Sequence, residues 1–457
     1  MSSGKHFHNV LCLSEAKGMD IIMMSTKQVV KNASWIIGCK IAQSVLGLIV
    51  SMLTARYLGP SNFGLINYAA SLATFILPVM QLGLSSTVVQ EIINAPDSEG
   101  EIIGTTIGMS FASACACIVG LFSFVSFVNA GETETIIVCL LYSLQLLFQS
   151  IEIIQYWYQA KLKSKYTSLA MVASYTIVSL YKIYLLVSGK SVYWFAVSHS
   201  IDFAIISIVL LFIYSRIGTQ KLRFSFKLAR KLFSRSKYYV LSGLMVSIFS
   251  QTDRVMLKVM MDDAATGFYS AAVQCSTLTN FVFTAILDSG RPLIFDSKKN
   301  DEQKYKEHLS SMYAIVIFLS LIQCVIISVF AKYIIRILYG AAYLQASAIL
   351  RIVVWYTAFA YLGSVRNIWL LAENKQKYLL FINLSGAIAN VIMNAILIPI
   401  SGAAGAAIAS LITQIFANII ISIIFKPIQG VNQYLLAGCN PKRIRVMLDV
   451  VLRKFRK

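Results

Sequence analysis

Two short series of polar residues interrupt the apolar stretches of this chain at helical spacing. Lys40, Ser44, Gly47, Ser51 and Thr54 follow one another at intervals of four, three, four and three. A helix would carry all five on one face. Ser247, Gln251, Arg254 and Lys258 repeat the pattern at four, three and four. Cations set among hydroxyls and amides suit the binding of an anion attached to a hydroxyl-rich body. Arg forks onto carboxylate or phosphate oxygens, and Lys meets them as a point charge. Catalytic patterns do not accompany these stripes. The sequence shows neither a nucleophile elbow nor a zinc-binding helix. Gly189-Lys190-Ser191 ends like a phosphate loop, but Tyr184 stands where that loop needs its first Gly.

Further ionisable groups fall inside apolar stretches: Glu152, Lys182, His199, Asp202, Asp253, Asp288, Arg351 and Arg366, with Arg291 just before Pro292. A charge at bilayer depth is costly unless paired or hydrated, so each marks a functional surface by default. Plainer roles compete. Asp253 would neutralise a neighbouring Lys or Arg. Lys182 and Arg366 would snorkel from span ends. His199 and Asp202, one turn apart, would hydrogen-bond within their own bundle. The eight cysteines are scattered, and Cys115 and Cys117 form a C-x-C pair without a second pair or a nearby His. That reads as packing rather than as a metal site or a disulfide framework. No metal and no cofactor is implied.

Composition says what kind of elements must position these groups. The 457 residues are 57% hydrophobic and only 13% charged, where a soluble domain has roughly 45–50% and about 25%. Most apolar stretches reach the roughly 20 residues that cross a bilayer as a helix, and the alternation of a membrane barrel is not seen. We read twelve spans, at 33–57, 63–90, 102–128, 135–159, 166–187, 192–215, 238–260, 266–290, 309–331, 344–370, 378–399 and 402–425. Residues 1–26 read as a leader from a start placed too early, and His6 and His8 in it are given no role.

The net charge of +20 lies in connectors and tails. Lys161, Lys163 and Lys165, the run from Arg216 to Lys237, Lys298 and Lys299, Lys375 and Lys377, and the tail from Lys442 to Lys457 all fall on one side of twelve crossings. By the positive-inside rule that side is cytoplasmic, and both termini lie there. Contact with anionic lipid accounts for the remaining positive charge, and no motif supports nucleic-acid binding. One connector, Glu91 to Glu101, is acidic although it belongs to the basic side. The halves also resemble each other. Ala160–Tyr166 before span five matches Ala372–Tyr378 before span eleven, and Phe63–Ala69 matches Thr266–Ala272. Two parallel repeats follow: a six-helix bundle at 27–215, a basic linker at 216–237 with the makings of an amphipathic surface helix, a second bundle at 238–425, and a basic tail at 426–457. A substrate path belongs between parallel repeats.

Three motifs in this order carry a resemblance. Thr54-Ala-Arg-Tyr-Leu-Gly-Pro-Ser-Asn-Phe-Gly64 looks like a turn between spans one and two. Gln251-Thr-Asp-Arg-Val-Met-Leu-Lys258 is followed by Thr266-Gly-Phe-Tyr-Ser-Ala-Ala272. Gly402-Ala-Ala-Gly-Ala-Ala-Ile-Ala-Ser410 opens span twelve. Over about Lys27 to Lys426 the chain resembles the bacterial polysaccharide repeat-unit flippases of the Wzx type, in the multidrug/oligosaccharidyl-lipid/polysaccharide exporter superfamily. The resemblance implies an all-α protein of the inner membrane, with two bundles around a central cavity. It implies movement of an undecaprenyl-pyrophosphate-linked oligosaccharide, such as an O-antigen unit, to the periplasmic leaflet by alternating access. A polysaccharide polymerase and a chain-length regulator are implied partners. Carried over by position, Lys40, Arg56, Arg254, Lys258 and Arg291 are the expected pyrophosphate-binding cations. Asp253, Asp202, His199, Glu152 and Arg351 are the expected coupling or cavity groups. A drug or cation antiporter of the same superfamily is the first alternative, disfavoured by a cationic cavity. A polymerase or glycosyltransferase is the second, disfavoured by the short extracytoplasmic loops.

Overall fold

Lipid offers no partner to a bare peptide group, so an apolar run that enters it must close its hydrogen bonds within itself. The computed structural model describes residues 43–443, apart from Thr219 and the side chain of Ser86, and no strand occurs among them. Lys40 and the leader lie outside the described residues.

Helix α1 (Gln43–Met80) bends back at Gly59, where φ is +72°, a conformation that Gly adopts without a Cβ clash. Its second limb continues into α2 (Leu84–Asn94). Then come α3 (Glu99–Val128), α4 (Thr133–Ser143), α5 (Gln145–Glu152), α6 (Gln155–Ala160), α7 (Ser164–Val187) and α8 (Val192–Ile217). The second half holds α9 (Phe226–Met260), α10 (Asp263–Ser276), α11 (Asn280–Asn300), α12 (Glu302–Tyr339), α13 (Ala346–Ala372) and α14 (Tyr378–Ile415). Helix α14 has its own reversal at Gly402, with φ 55° and ψ −134°.

Among the described residues, eight helical runs are long and apolar enough to span a membrane, or nine when α10 and α11, bent by 45°, count as one. Dividing two of those runs at Gly59 and Gly402 adds two crossings. Helix α9, too polar to pass on composition, adds the last. The described residues thus hold twelve spans, the first from Gln43 onward, in two bundles about a cavity.

Contacts between turns show which ends gather. The Tyr57 hydroxyl donates to the Lys190 carbonyl at 3.1 Å, and the Tyr68 hydroxyl donates to Asn129 at 2.9 Å. The turn at 57–60 therefore shares one end, here the turn end, with the α3–α4 and α7–α8 connections. At the opposite, basic end, Glu91 is buried between Lys231 and Arg235, and Glu99 pairs with Lys161 at 2.6 Å. The acidic connector is thus the counter-charge on which basic segments dock.

The expected surface helix at 216–237 is not a separate element. The chain leaves α8 at Ile217 and is already inside α9 at Phe226. Between them residues 220–225 lie along α3, where Gly100, Gly104 and Gly108 recur every fourth residue and leave a groove. The Arg223 N–H donates to the Gly100 carbonyl at 3.2 Å. The Gly100 N–H donates to the Gln220 side chain at 3.0 Å, and the Ser225 N–H donates to Thr105 Oγ1 at 3.0 Å. The Phe224 ring covers Gly108. The connector is therefore strapped to the first bundle.

A Cβ at Gly104 would lie 2.4 Å from the Arg223 carbonyl oxygen, whereas one at Gly120 on the same helix would meet nothing within 4 Å. Gly104→Val should cost about 1–3 kcal/mol of stability by overpacking and expose 220–225 to protease in native membranes. Gly120→Val should do neither. Equal thermal unfolding of the two variants would contradict the docked strap.

Candidate functional site

The polar face of the first limb of α1 looks into a cavity of about 920 Å³. Ser44, Gly47, Ser51 and Thr54 contribute to one wall. Glu152 of α5, Tyr175 and Lys182 of α7, and His199, Asp202 and Phe203 of α8 contribute to the facing wall. Gln274, Asn280 and Phe281, at the bend between α10 and α11, bring in the second half. The stripe expected on span one therefore lines a cavity where it is described.

Hydrogen bonds orient the wall. The Ser174 hydroxyl donates to Asp202 Oδ1 at 2.6 Å. Ser51 and Tyr339 both donate to Gln274 Oε1, at 3.0 and 2.7 Å. The Tyr142 and His199 rings meet at a tilt of 38°, with centroids 4.6 Å apart. A side compartment of about 30 Å³, lined by Ser179, Lys182, His199 and Asp202 among others, is large enough to admit water. Lys182 does not snorkel away as one reading expected. It belongs to the cavity wall.

The turn end of the cavity is closed by contacts between the halves. Gly64 and Gly267, at matching places in the two repeats, let the bundles touch backbone to backbone. A Cβ at Gly64 would fall 1.7 Å from the Asp263 carbonyl oxygen, and one at Gly267 would fall 2.0 Å from that of Pro60. The Tyr343 hydroxyl donates to the Ala55 carbonyl at 2.9 Å. Lys258 bridges Glu132 of the first half at 2.7 Å and Asp263 of the second at 2.8 Å.

This placement corrects two expected cavity cations. Arg56 is exposed and donates to the carbonyls of Ile337 and Leu338, the unsatisfied last carbonyls of α12, where the helix dipole also favours a cation. Lys258 is neutralised in the clamp. Neither lines the cavity, and neither do Arg254, Arg291 or Arg351. Arg254 donates to Ser270 at 3.2 Å and Gln251 at 2.9 Å, with no carboxylate partner among the described residues. Arg291 pairs with Asp288 at 3.3 Å on an exposed face of α11. Arg351 is exposed on α13.

Asp253 does not neutralise a Lys or Arg. It is buried in the second bundle and accepts from Asn394 at 2.7 Å, Asn390 at 3.1 Å, and the hydroxyls of Tyr269 and Ser410. The signal for this cage was the pair Asn390 and Asn394, one turn apart in an apolar run, and the sequence reading passed over it. Arg366 is likewise not at a surface. It is 3% exposed and donates to the Ala417 carbonyl at 2.6 Å, inside the π-turn Phe416–Ile420. Such a turn leaves carbonyls without their usual helical partners.

A cavity walled by two bundles, sealed at one end by contacts between them, is the architecture of a multi-pass membrane protein. The profile of the polysaccharide biosynthesis protein family matches residues 29–298. Agl15 of Haloferax volcanii, described as a probable low-salt glycan biosynthesis flippase, is 27% identical over 197 residues, which is 43% of this chain and 42% of that protein. The lipid II flippase MurJ, in an inward closed conformation, has a similar fold, with a TM-score of 0.70 and 18% identity over 92% of each chain. So has an inward-facing multidrug resistance transporter of the MATE family, with a TM-score of 0.67 and 13% identity, over 87% of this chain and 95% of that one. The chain belongs to the polysaccharide biosynthesis protein family.

The clamp has a pH signature. Burial works to raise the Glu132 carboxyl, but hydrogen bonds from Lys258 and Thr135 outweigh it and hold the group below the usual glutamate range. A depressed value means that its stabilisation is present above the ordinary glutamate range and is lost as pH falls through the depressed one. Labelling of a cysteine at Asn67, which lines the cavity, by an impermeant maleimide, normalised at each pH to the rate of the same thiol in denatured protein, should be slow and flat from pH 8 to 5. It should speed up several-fold in Glu132→Gln and Lys258→Met. Unchanged labelling in both variants would show that the clamp does not hold the turn end shut.

Proposed function

We propose that this protein flips an oligosaccharide linked to undecaprenyl pyrophosphate, an O-antigen or related surface-polysaccharide unit, from the cytoplasmic to the periplasmic leaflet of a bacterial inner membrane. The cavity carries this reading: about 920 Å³ of mixed hydroxyl, amide, carboxylate and aromatic lining, sealed on one side, in a family of polysaccharide biosynthesis proteins. Hydroxyls and amides supply the hydrogen bonds that a sugar gives up on leaving water. The prenyl tail stays in lipid. In this reading the sealed turn end is periplasmic, the basic end and both termini are cytoplasmic, and alternating access exchanges the seal between the two ends. Agl15 and MurJ, both described as flippases, support it.

Pyrophosphate falls to Arg254 in this proposal: it stands outside the cavity lining of this conformation, but its fork has only neutral partners among the described residues. Asp253 is the proposed coupling group, because it is buried, is held by four neutral donors and has no cationic partner among the described residues. A polymerase and a chain-length regulator would act on the delivered unit.

Glu152 and Asp202 in the cavity favour one second reading, an antiporter of organic cations. Deletion separates the two. Loss of flipping should stop surface polysaccharide and leave lipid-linked units inside the cell, with unchanged sensitivity to cationic dyes. Dye sensitivity without polysaccharide loss would favour the antiporter, and single units displayed at the surface would mean that translocation is intact.

Arg254→Ala should lower substrate affinity roughly ten- to hundred-fold, by the about 1.5–3 kcal/mol of a charge-assisted contact. Arg254→Lys should keep part of the activity. Adding Asp253→Ala to Arg254→Ala should not restore export, because Asp253 has its own partners. Export recovered in that double variant, at wild-type protein level, would remove Arg254 from the binding site. Reporter fusions at Lys227 test the orientation and should give cytoplasmic signal.

A further inference from the structure

Most buried carboxylates in this fold are matched. Glu91 lies between Lys231 and Arg235, Glu99 meets Lys161, and Asp253 has four donors. Glu152 is different. It is 7% exposed and lines the cavity. Its Oε1 accepts one long bond, from the Gln155 amide at 3.3 Å, and no Lys, Arg or His stands within 4 Å of it among the described residues. A carboxylate removed from bulk water needs donors that satisfy it, and here the open side is the cavity. Asp202, in the same wall, is better served. It takes the Ser174 hydroxyl and shares the side compartment with Lys182.

We propose that Glu152 reads the glycan and selects a repeat unit bearing an amino sugar, whose protonated nitrogen supplies the missing donors, over a unit bearing a uronic acid. The proposal rests on the flippase reading and adds to it the charge class of the sugar. An ammonium gives Glu152 a charge-assisted hydrogen bond. A uronate brings a like charge to a site of low dielectric, where repulsion is strong. Lys182 does not reverse this preference, because Asp202 beside it offsets its charge. The aromatic rings of Tyr142, Tyr175 and Phe203 line the same cavity and provide apolar surface for the sugar ring. The selective charge and these rings therefore lie in one cavity.

The test uses the full chain in nanodiscs and three synthetic probes: a short prenyl diphosphate, and the same diphosphate carrying either of two disaccharides. The disaccharides differ only in one ring, a 2-amino-2-deoxyhexose or a hexuronic acid. The amino-sugar probe should bind the wild type about tenfold more tightly than the uronate probe, the worth of one charge-assisted contact. Glu152→Gln should erase most of that ratio. A wild-type ratio near one, or one favouring the uronate, overturns the proposal whether or not the variant folds. So does a ratio that survives Glu152→Gln. If neither disaccharide probe nor the bare diphosphate binds, the flippase reading itself falls and this proposal with it.

Discussion

A polar group carried into hydrocarbon must find its partner inside the protein, and most of this architecture follows from that demand. Asp253 draws α9, α10 and α14 together because its carboxylate takes donors from all three. Glu91 ties α2 to the first turns of α9. Arg366 uses a carbonyl inside the π-turn of the last span. Each is a packing instruction written in charge. An unmatched group at these depths costs several kcal/mol, comparable to the whole margin of stability of a domain.

The same demand divides the molecule into parts that move together and parts that touch. Residues 220–225 and the start of α9 are bound to the first bundle, while the end of α9 is bound to the second through Asp253. The two bundles also meet at the turn end, through Gly64 against Gly267 and through Lys258. These are small-residue contacts and an ion pair, which can open without dismantling either core. A cavity lined from both halves, and closed by breakable contacts, is what the proposed alternating access requires.

Helices, their number and the two-bundle plan were legible because hydrophobic length and charge alternation are local properties of the chain. The polar face of span one was legible for the same reason, since its register alone brings Ser44, Gly47, Ser51 and Thr54 to one side. The groove made by Gly100, Gly104 and Gly108 was equally local but carried no meaning until the strap lay in it.

Partners were not legible. Arg254 and Lys258 share a helical face one turn apart. Yet Lys258 reaches Glu132 in the other half, while Arg254 finds Ser270 and Gln251. Arg56 belongs to the motif that carried the family resemblance, and its guanidinium caps a helix that begins some 250 residues later. The sequence by itself determined that the chain crosses the membrane twelve times, that its halves repeat and that charge lies within the spans. Only the tertiary structure decided which charges cancel one another and which face the cavity. Hydropathy and helical register are set by neighbours along the chain, whereas the fate of a buried charge depends on what a distant segment brings within about 3 Å of it.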